Sequence, residues 1–206
     1  AVCTKRSAQQ SAAALASLVH GNSENQLALA KAGSIEPLIN LLGSESSETQ
    51  EHAVNTLLYL ASLSGSATCN NVVKRLVAVL DMRNAAAQMK AAEALAVLAS
   101  RSGENRKVIT AANAVQPLVR LLGDGRRVRA GTPQERAAAV LSDLARAGEN
   151  KLSIVQEGAV APLVEMLSSD SQEASKHAAG ALWQLAALND NKQAIVKAGG
   201  IPSLVT

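Results

Sequence analysis

The sequence predicts an all-α solenoid, in which short helices stack into an elongated array, and two observations predict it. First, leucines recur in one register at intervals of 38 to 46 residues, at Leu18, Leu60, Leu98, Leu144 and Leu185. Second, a parallel register recurs at intervals of 38 to 45 residues, at Leu38, Leu76, Leu118, Leu163 and Leu204. Repeats of about 40–47 residues are typical of helical-repeat proteins. One such unit cannot bury its apolar faces alone, so the copies must stack on one another.

Taken in order, the chain divides into four nearly complete three-helix units between two partial ones. Residues 1–20 supply only a last helix, and residues 189–206 supply only the first part of another unit. The complete units are predicted at about 21–63, 64–101, 102–147 and 148–188. The whole of 1–206 is therefore expected to form one domain. Because terminal repeats normally carry polar capping faces, the partial ends indicate a fragment of a longer array.

The second unit is expected to be the most irregular. Sixteen positions separate Leu60 from Leu76, against 20 from Leu18 to Leu38, so this unit has lost about one helical turn. We expect an irregular loop at residues 64–70 in place of its first helix. Helices should then cover about 71–81 and 85–100.

The third unit carries a four-residue insertion within residues 123–136, GDGRRVRAGTPQER. A helix is expected to restart just after it, because Thr132, Pro133 and Glu135 have the chemistry of the N-cap, first and third helical positions. The fourth unit is the most regular.

One column of residues tests the alignment independently of hydrophobicity. The residues five positions before the second leucine register are Gly33, Asn71, Asn113, Gly158 and Gly199. Glycine and asparagine are the two residues that best tolerate the left-handed backbone conformation that ends many helices. The column therefore predicts a helix end at each of these positions.

Composition limits the classes of function. Apolar residues make up 48% of the chain and charged residues 18%, which suits a folded protein. With no Phe, one Tyr and one Trp, the core must consist of Ala, Leu, Val and Ile. A net charge of +3 does not by itself argue for nucleic acid. Two cysteines without metal or disulfide spacing favour a reducing compartment, and no apolar run reaches the roughly 18 residues of a membrane span. We therefore expect an intracellular protein, cytoplasmic or nuclear, without membrane insertion.

Several segments resemble the armadillo-repeat family over essentially the whole chain. They are AAGALWQLA at 178–186, ENR at 104–106, ENK at 149–151, AGSIEPLINLL at 32–42, EGAVAPLVEML at 157–167 and AGGIPSLV at 198–205. The amino-acid sequence of these segments is most similar to the vacuolar-protein-8-like and plant U-box-associated armadillo arrays. The resemblance implies a right-handed superhelix of three-helix repeats. It also implies that the third helices line a concave groove for extended peptides or partner proteins.

In the importin-α branch each third helix carries a Trp and, four positions later, an Asn that holds the peptide backbone. The column equivalent to the Trp here reads Ala13, Asn55, Glu93, Ala139 and Gly180. The column equivalent to the Asn reads Ser17, Tyr59, Val97, Asp143 and Gln184. Neither ladder is present, so a generic receptor for nuclear localisation signals is not expected.

The candidate binding residues come from these columns and from the turn before them, which holds His52, Lys90, Arg136 and His177. Residues four apart share one helical face. We define the groove positions as Asn55, Tyr59, Glu93, Val97, Arg136, Asp143, His177 and Gln184. Their mixed polarity, with Tyr59 as the one phenol, suits a partner protein or peptide, since aromatic residues and arginine are common anchors. The alternative interpretation is that they are ordinary solvent-facing residues.

Trp183 lies beside the groove face, and we expect it to be partly buried against a neighbouring repeat. His52 and His177 occupy equivalent positions three repeats apart, too far to share a metal when neighbouring helices lie about 8–10 Å apart. His20 is at a helix end, where a terminal charge explains it. The sequence predicts no metal and no cofactor.

The insertion concentrates positive charge at Arg126, Arg127 and Arg129. Such a loop could grip phosphate, an acidic partner or RNA. It lacks interleaved aromatics for base stacking and the GK[ST] of a phosphate-binding loop. Nucleic-acid or phosphoprotein binding through this loop is the alternative to groove binding.

No arrangement of nucleophile, base and acid, no CxxC and no HExxH occurs, so catalysis is not expected. The sequence thus predicts a non-enzymatic protein–protein interaction scaffold that binds a partner segment in its groove. A further hypothesis is homo-association through the truncated repeat ends, whose apolar faces could stack end to end, an effect that a longer chain would abolish.

Overall fold

The computed structural model describes residues 2–62, 66–123 and 128–205, with side chains from residue 7 onward. Within these ranges the chain is helical and contains no strand. The helices are α1 Val2–Val19, α2 Ser23–Lys31, α3 Ile35–Leu41, α4 Ser47–Leu60, α5 Ala67–Val79, α6 Ala85–Arg101, α7 Gly103–Ala111, α8 Val115–Leu122, α9 Pro133–Leu144, α10 Gly148–Gln156, α11 Val160–Met166, α12 Gln172–Leu185, α13 Asn189–Lys197 and α14 Gly200–Val205. None of these helices combines the length and the apolar character that crossing a membrane requires.

The all-α solenoid is confirmed by how the helices pack. The third helices α1, α4, α6, α9 and α12 lie side by side in chain order, each against the next. The second helices α3, α8 and α11 pack on the third helix of their own repeat and on the next repeat's first helix (the long α5 in one case). Both leucine registers are fully buried between these layers at their interior positions. One continuous apolar core results, running from Ile35 to Ile195.

The column of helix ends is confirmed at four of its five positions. Gly33, Asn113, Gly158 and Gly199 have φ between 58° and 89°. Asn113 is the one described residue other than glycine with positive φ. At these positions the chain leaves a first helix and turns directly into the second.

The predicted helix at about 85–100 is confirmed by α6, but the prediction for the start of the second unit is wrong. Residues 67–70 are not an irregular loop, and no helix begins at 71, because α5 runs without interruption from Ala67 to Val79. Ser66 caps it, its hydroxyl accepting a hydrogen bond from the amide of Cys69 at 3.0 Å. Asn71 therefore lies inside a helix and not at a helix end. The shortened spacing leaves no room for a turn, so the first and second helices of this unit fuse.

The helix start after the insertion is confirmed. Pro133 is the first residue of α9, and the Thr132 hydroxyl accepts a hydrogen bond from the amide of Glu135 at 3.5 Å. The Glu135 carboxylate reaches back to the amide of Gly131 at 3.4 Å. Two amide groups at the start of α9 thus gain partners from this reciprocal arrangement.

A column of buried amides ties four of the first helices, α2, α7, α10 and α13, to the end of the preceding third helix. The side-chain amides of Asn105, Asn150 and Asn191 each donate, at 3.0 Å, to the carbonyl of the last register leucine before them. Gln26 does the same to the Val19 carbonyl at 2.9 Å. The final carbonyls of a helix lack partners within that helix, so these amides complete the hydrogen bonding there.

Candidate partner-binding groove

The groove positions all reach the surface of the third-helix layer. Asn55 is exposed, and the other seven are half-buried, each on α4, α6, α9 or α12. Because these helices pack against one another in order, their groove positions form consecutive rungs along one face. The helical periodicity therefore brings the predicted residues onto one continuous strip.

At its amino-terminal end the strip contains a depression of about 330 Å³ between α1 and α4. Its polar lining includes His20, His52, Asn55 and Tyr59. The Nδ1 atom of His20 and the hydroxyl of Tyr59 share a hydrogen bond of 2.7 Å, and the two rings meet edge to face. The histidine therefore orients the phenol, a role that helix-end electrostatics did not predict. Asn55, which is exposed, lines the same depression.

In the middle of the strip the charges are paired. The ammonium group of Lys90 lies 3.2 Å from the carboxylate of Glu93, and the guanidinium of Arg146 lies 3.5 Å from that of Asp143. Lys90 is almost fully buried. Each acidic groove residue thus has a basic neighbour three positions away in the chain, so the strip carries no large excess of either charge.

Near the strip, a buried acidic residue links the repeats that contain α9 and α12. Glu135 is only 4% exposed, and its carboxylate accepts a hydrogen bond of 2.6 Å from the hydroxyl of Ser171 on the neighbouring repeat. Arg136 is half-buried, and its buried Nε has no acceptor among the described residues. Sequence reasoning missed Glu135 as an inter-repeat contact, because its helix-start role already explained it.

Partial burial lowers the pKa of His177 below its ordinary range, and the neighbouring Glu173 carboxylate, 3.8 Å away, opposes that change. The charges of Lys176 and Arg136 lower the pKa of His177 further, whereas Glu135 raises it. The imidazole of His177 is therefore neutral at physiological pH, and it can both donate and accept a hydrogen bond in the strip.

The expectation for Trp183 is wrong: its side chain is 74% exposed. Leu58, at the equivalent position of α4, is 7% exposed, and α4 packs on the following third helix, α6. Among the described residues, no third helix packs on the corresponding side of α12. The indole is exposed for that reason and not because it points into the groove.

The alternative basic site falls largely outside the described residues, since these exclude Arg126 and Arg127. Arg129 is exposed, and its carbonyl accepts a hydrogen bond of 2.8 Å from the Thr132 hydroxyl. Arg120 is already paired with Asp81 at 2.8 Å. Binding through this loop stays a prediction.

Sequence reasoning also missed the role of the buried amides. ENR and ENK entered only as marks of resemblance, and Ser23 and Gln26 have the sequence spacing of a capping box, which would make Ser23 the cap. In the structure Asn22 is the cap, accepting from the amide of Asn25 at 3.0 Å. The recurrence of an amide in one register was the signal available. No group of three or more potential metal ligands occurs in the part of the chain that the structure describes.

Comparison with known proteins agrees with this architecture. A family model described as Armadillo/beta-catenin-like repeat matches residues 22–62 and 149–187. A search of curated proteins found no match. An engineered protein of known crystal structure is 34% identical, with 95% of this chain and 80% of that chain covered and a TM-score of 0.70.

Two further solved structures are similar. Computationally designed armadillo repeat proteins for modular peptide recognition are 28% identical, with 95% of this chain and 83% of that chain covered and a TM-score of 0.71. A designed armadillo repeat protein in complex with the peptide (KR)4 is 29% identical, with 97% and 83% covered and a TM-score of 0.69. Repeat length, helix order, family model and solved structures agree, and the chain belongs to the armadillo-repeat family.

Proposed function

We propose that this protein is a non-enzymatic interaction scaffold that binds an extended segment of a partner protein along the third-helix layer. The observation that carries the proposal is the unbroken order of α1, α4, α6, α9 and α12, which aligns the eight groove positions on one strip. The similarity to designed armadillo proteins made for peptide recognition supports the same use of this face.

The dimensions of the layer set the length of the bound segment. Packed helices lie about 8–10 Å apart, and an extended chain advances about 3.3 Å per residue. A segment that crosses all five third helices would therefore contain roughly 10–12 residues. Its backbone would meet polar side chains at both ends of the strip, Asn55 with Tyr59 and His177 with Gln184.

The charge pairing along the strip bears on partner choice. Since Glu93 and Asp143 each have a basic neighbour, a segment of one repeated charge gains little from the middle of the groove. We propose that hydrogen bonding to the amides and the phenol, together with apolar contact at Val97, selects a segment of mixed polarity. The (KR)4 peptide of the designed relative would bind this chain weakly by comparison.

The test is selection of 12-residue peptides from a displayed library, followed by measurement of Kd by fluorescence anisotropy. The groove variant combines Tyr59→Ala, Asp143→Arg and Gln184→Ala. A matched control on α5, α7 and α8 combines Lys74→Ala, Glu104→Arg and Gln116→Ala, all at exposed positions. Glu104 forms an acid–base pair with Lys107, three positions further along the chain, as Asp143 does with Arg146.

We expect the groove variant to bind at least about tenfold more weakly and the control to bind like the original protein, because a few anchors dominate such interfaces. Circular dichroism must show equal folding of the three proteins. Equal affinity of the groove variant, or greater loss in the control, would overturn the proposal.

A further inference from the structure

Arg136 differs from the other charged side chains of the strip because no carboxylate neutralises it. Lys90 forms an ion pair with Glu93 at 3.2 Å, whereas Arg136 takes part in no ion pair within the residues that the structure describes. Its Nε is buried without an acceptor in the same part of the chain. The residue as a whole is half-buried, so an external group can reach it. A guanidinium has five N–H donors and no acceptor atom, so an acceptor is what this side chain lacks.

The helical register explains why Arg136 has no acidic partner. On α6, Lys90 is followed three residues later by Glu93, and these two residues form the pair. The residue three positions after Arg136 is Ala139, and the equivalent residue on α12 is Gly180. A Cβ placed on Gly180 would lie 2.9 Å from a side-chain hydroxyl of α9, so a larger residue does not fit there. Neither position supplies the carboxylate that α6 supplies.

The three acidic residues of α9 and α12 all have other partners. The carboxylate of Glu135 accepts a hydrogen bond of 2.6 Å from the Ser171 hydroxyl. Asp143 is paired with the arginine that follows α9. Glu173 lies 3.2 Å from the ammonium group of Lys176. The unpaired guanidinium is therefore available to an anion from outside the chain.

His177 occupies the position of α12 that is equivalent to Arg136 on α9. Burial is the main cause of the lowered pKa of His177, and the charge of Arg136 contributes to it, so the two side chains lie near each other. The imidazole is neutral at physiological pH and adds no second cation. It can nevertheless donate a hydrogen bond to an anion that Arg136 holds.

We propose that Arg136 binds the carboxylate of one Asp or Glu in the partner segment, and that this contact fixes the position of the segment along the strip. The inference rests on the proposed function, because it concerns one residue of the same bound segment. A guanidinium can bind a carboxylate through two parallel hydrogen bonds, which fixes geometry as well as charge. Since the other charges of the strip are paired, one acidic residue is selected, not an acidic run.

A carboxylate suits this site better than a phosphate. Recognition of phosphorylated residues typically uses a cluster of arginines. Arg136 is a single guanidinium beside a neutral imidazole, and the nearest basic groove neighbour on α6, Lys90, is occupied by Glu93. One positive charge matches one carboxylate.

The spacing of the helices predicts where the acidic residue lies in the segment. Two helix spacings separate α4 from α9, which is roughly 16–20 Å at 8–10 Å per spacing. An extended chain covers that distance in about five or six residues. The acidic residue should therefore lie about five or six positions from the residue that meets Tyr59.

The test uses the peptides selected from the 12-residue library, with acetylated and amidated ends so that side chains supply every carboxylate. We expect the peptides to share Asp or Glu at one position. Changing that residue to Asn or Gln should weaken binding to the original protein about tenfold in Kd. The same change should alter binding to Arg136→Gln by less than about twofold, because the interaction it removes is already absent.

Two further variants separate charge from structure. Arg120→Gln on α8 is the matched control, since the guanidinium of Arg120 is already paired with Asp81 at 2.8 Å. It should bind like the original protein and keep the tenfold loss. Arg136→Lys keeps the charge but not the two-pronged geometry, so its affinity should be intermediate. Circular dichroism and melting temperatures should match among the four proteins.

A charge exchange completes the test. Arg136→Glu should bind the peptide that carries Lys at the shared position more tightly than the peptide that carries the acid. An equal loss in the original protein and in Arg136→Gln would overturn the inference. So would groove-dependent peptides without a shared acid, although the proposed function would then stand. If no peptide depends on the groove variant's residues, both the inference and the proposed function are wrong.

Discussion

At the scale of single residues, the buried amides act as spacers that set the distance between consecutive repeats. Asn150 is 2% exposed, and its Nδ2 donates to the Leu144 carbonyl at the end of α9. Asn191 donates both to Leu185 and to the Lys151 carbonyl in the first helix of the preceding repeat. A side chain that joins two or three helices in this way is part of the repeat's geometry and not part of a binding site.

Replacing Asn150 by Ala should lower the free energy of unfolding by about 0.5–1.5 kcal/mol, because the Leu144 carbonyl would lose the Asn150 amide and keep only the backbone amide of Ala147 as its donor. The measurement is urea unfolding followed by circular dichroism. Asn40→Ala is the control, since Asn40 is exposed on α3 and alanine favours helix formation there. A cost for Asn150→Ala no larger than that of the control would show that water can replace the amide.

At the scale of helices, α5 shows that the length of a repeat can outweigh the preference of a single residue for a helix end. Asn71 and Asn113 share one register and were both predicted to end a helix. Asn113 does so with φ of 58°, whereas Asn71 lies within α5 because its unit is about one turn shorter. Asparagine tolerates both conformations, so the residue type alone could not distinguish them.

This difference predicts opposite effects of one substitution at the two positions. Asn71→Ala should stabilise the protein by a few tenths of a kcal/mol, since alanine is the best helix former and the site is exposed. Asn113→Ala should destabilise it by roughly 1 kcal/mol, because a side chain with a Cβ and no polar group is disfavoured at positive φ. Thermal unfolding of both variants measures these changes in stability. A change in the same direction for both variants would mean that α5 is interrupted at residue 71.

At the scale of the whole molecule, stability is shared among interfaces between neighbouring repeats. The core consists of small aliphatic side chains, so each boundary between repeats contributes modestly to stability. Within the described chain, the first and last repeats have a neighbouring repeat on one side only. α6 and α9 each pack between two third helices, whereas α1 and α12 have such a neighbour on one side within the described chain.

Amide hydrogen exchange should therefore be slowest in α6 and α9 and fastest in α1, α13 and α14 at low protein concentration. Mass spectrometry of peptide fragments measures this gradient. Uniform protection along the chain would contradict it, because it would mean that the array unfolds as a single unit.

Much of the fold could be predicted from the sequence because it depends on local, repeated properties. The leucine registers and the helix ends at Gly33, Gly158 and Gly199 follow from periodicity and from the conformations that glycine allows. The placement of Tyr59 and Gln184 on the third-helix layer follows from the same periodicity. Binding at these positions stays a prediction, since periodicity places side chains but does not identify what touches them.

What the sequence by itself determined is therefore the repeat, its helix order and the residues on each helix face. Tertiary structure alone decided the continuity of α5, the bond between His20 and Tyr59, the contact of Glu135 with Ser171 and the exposure of Trp183. The two hydrogen bonds join residues 39 and 36 positions apart in the chain, and the exposure of Trp183 depends on which helices pack beside α12. Such contacts are set by how the repeats pack, which no single segment encodes.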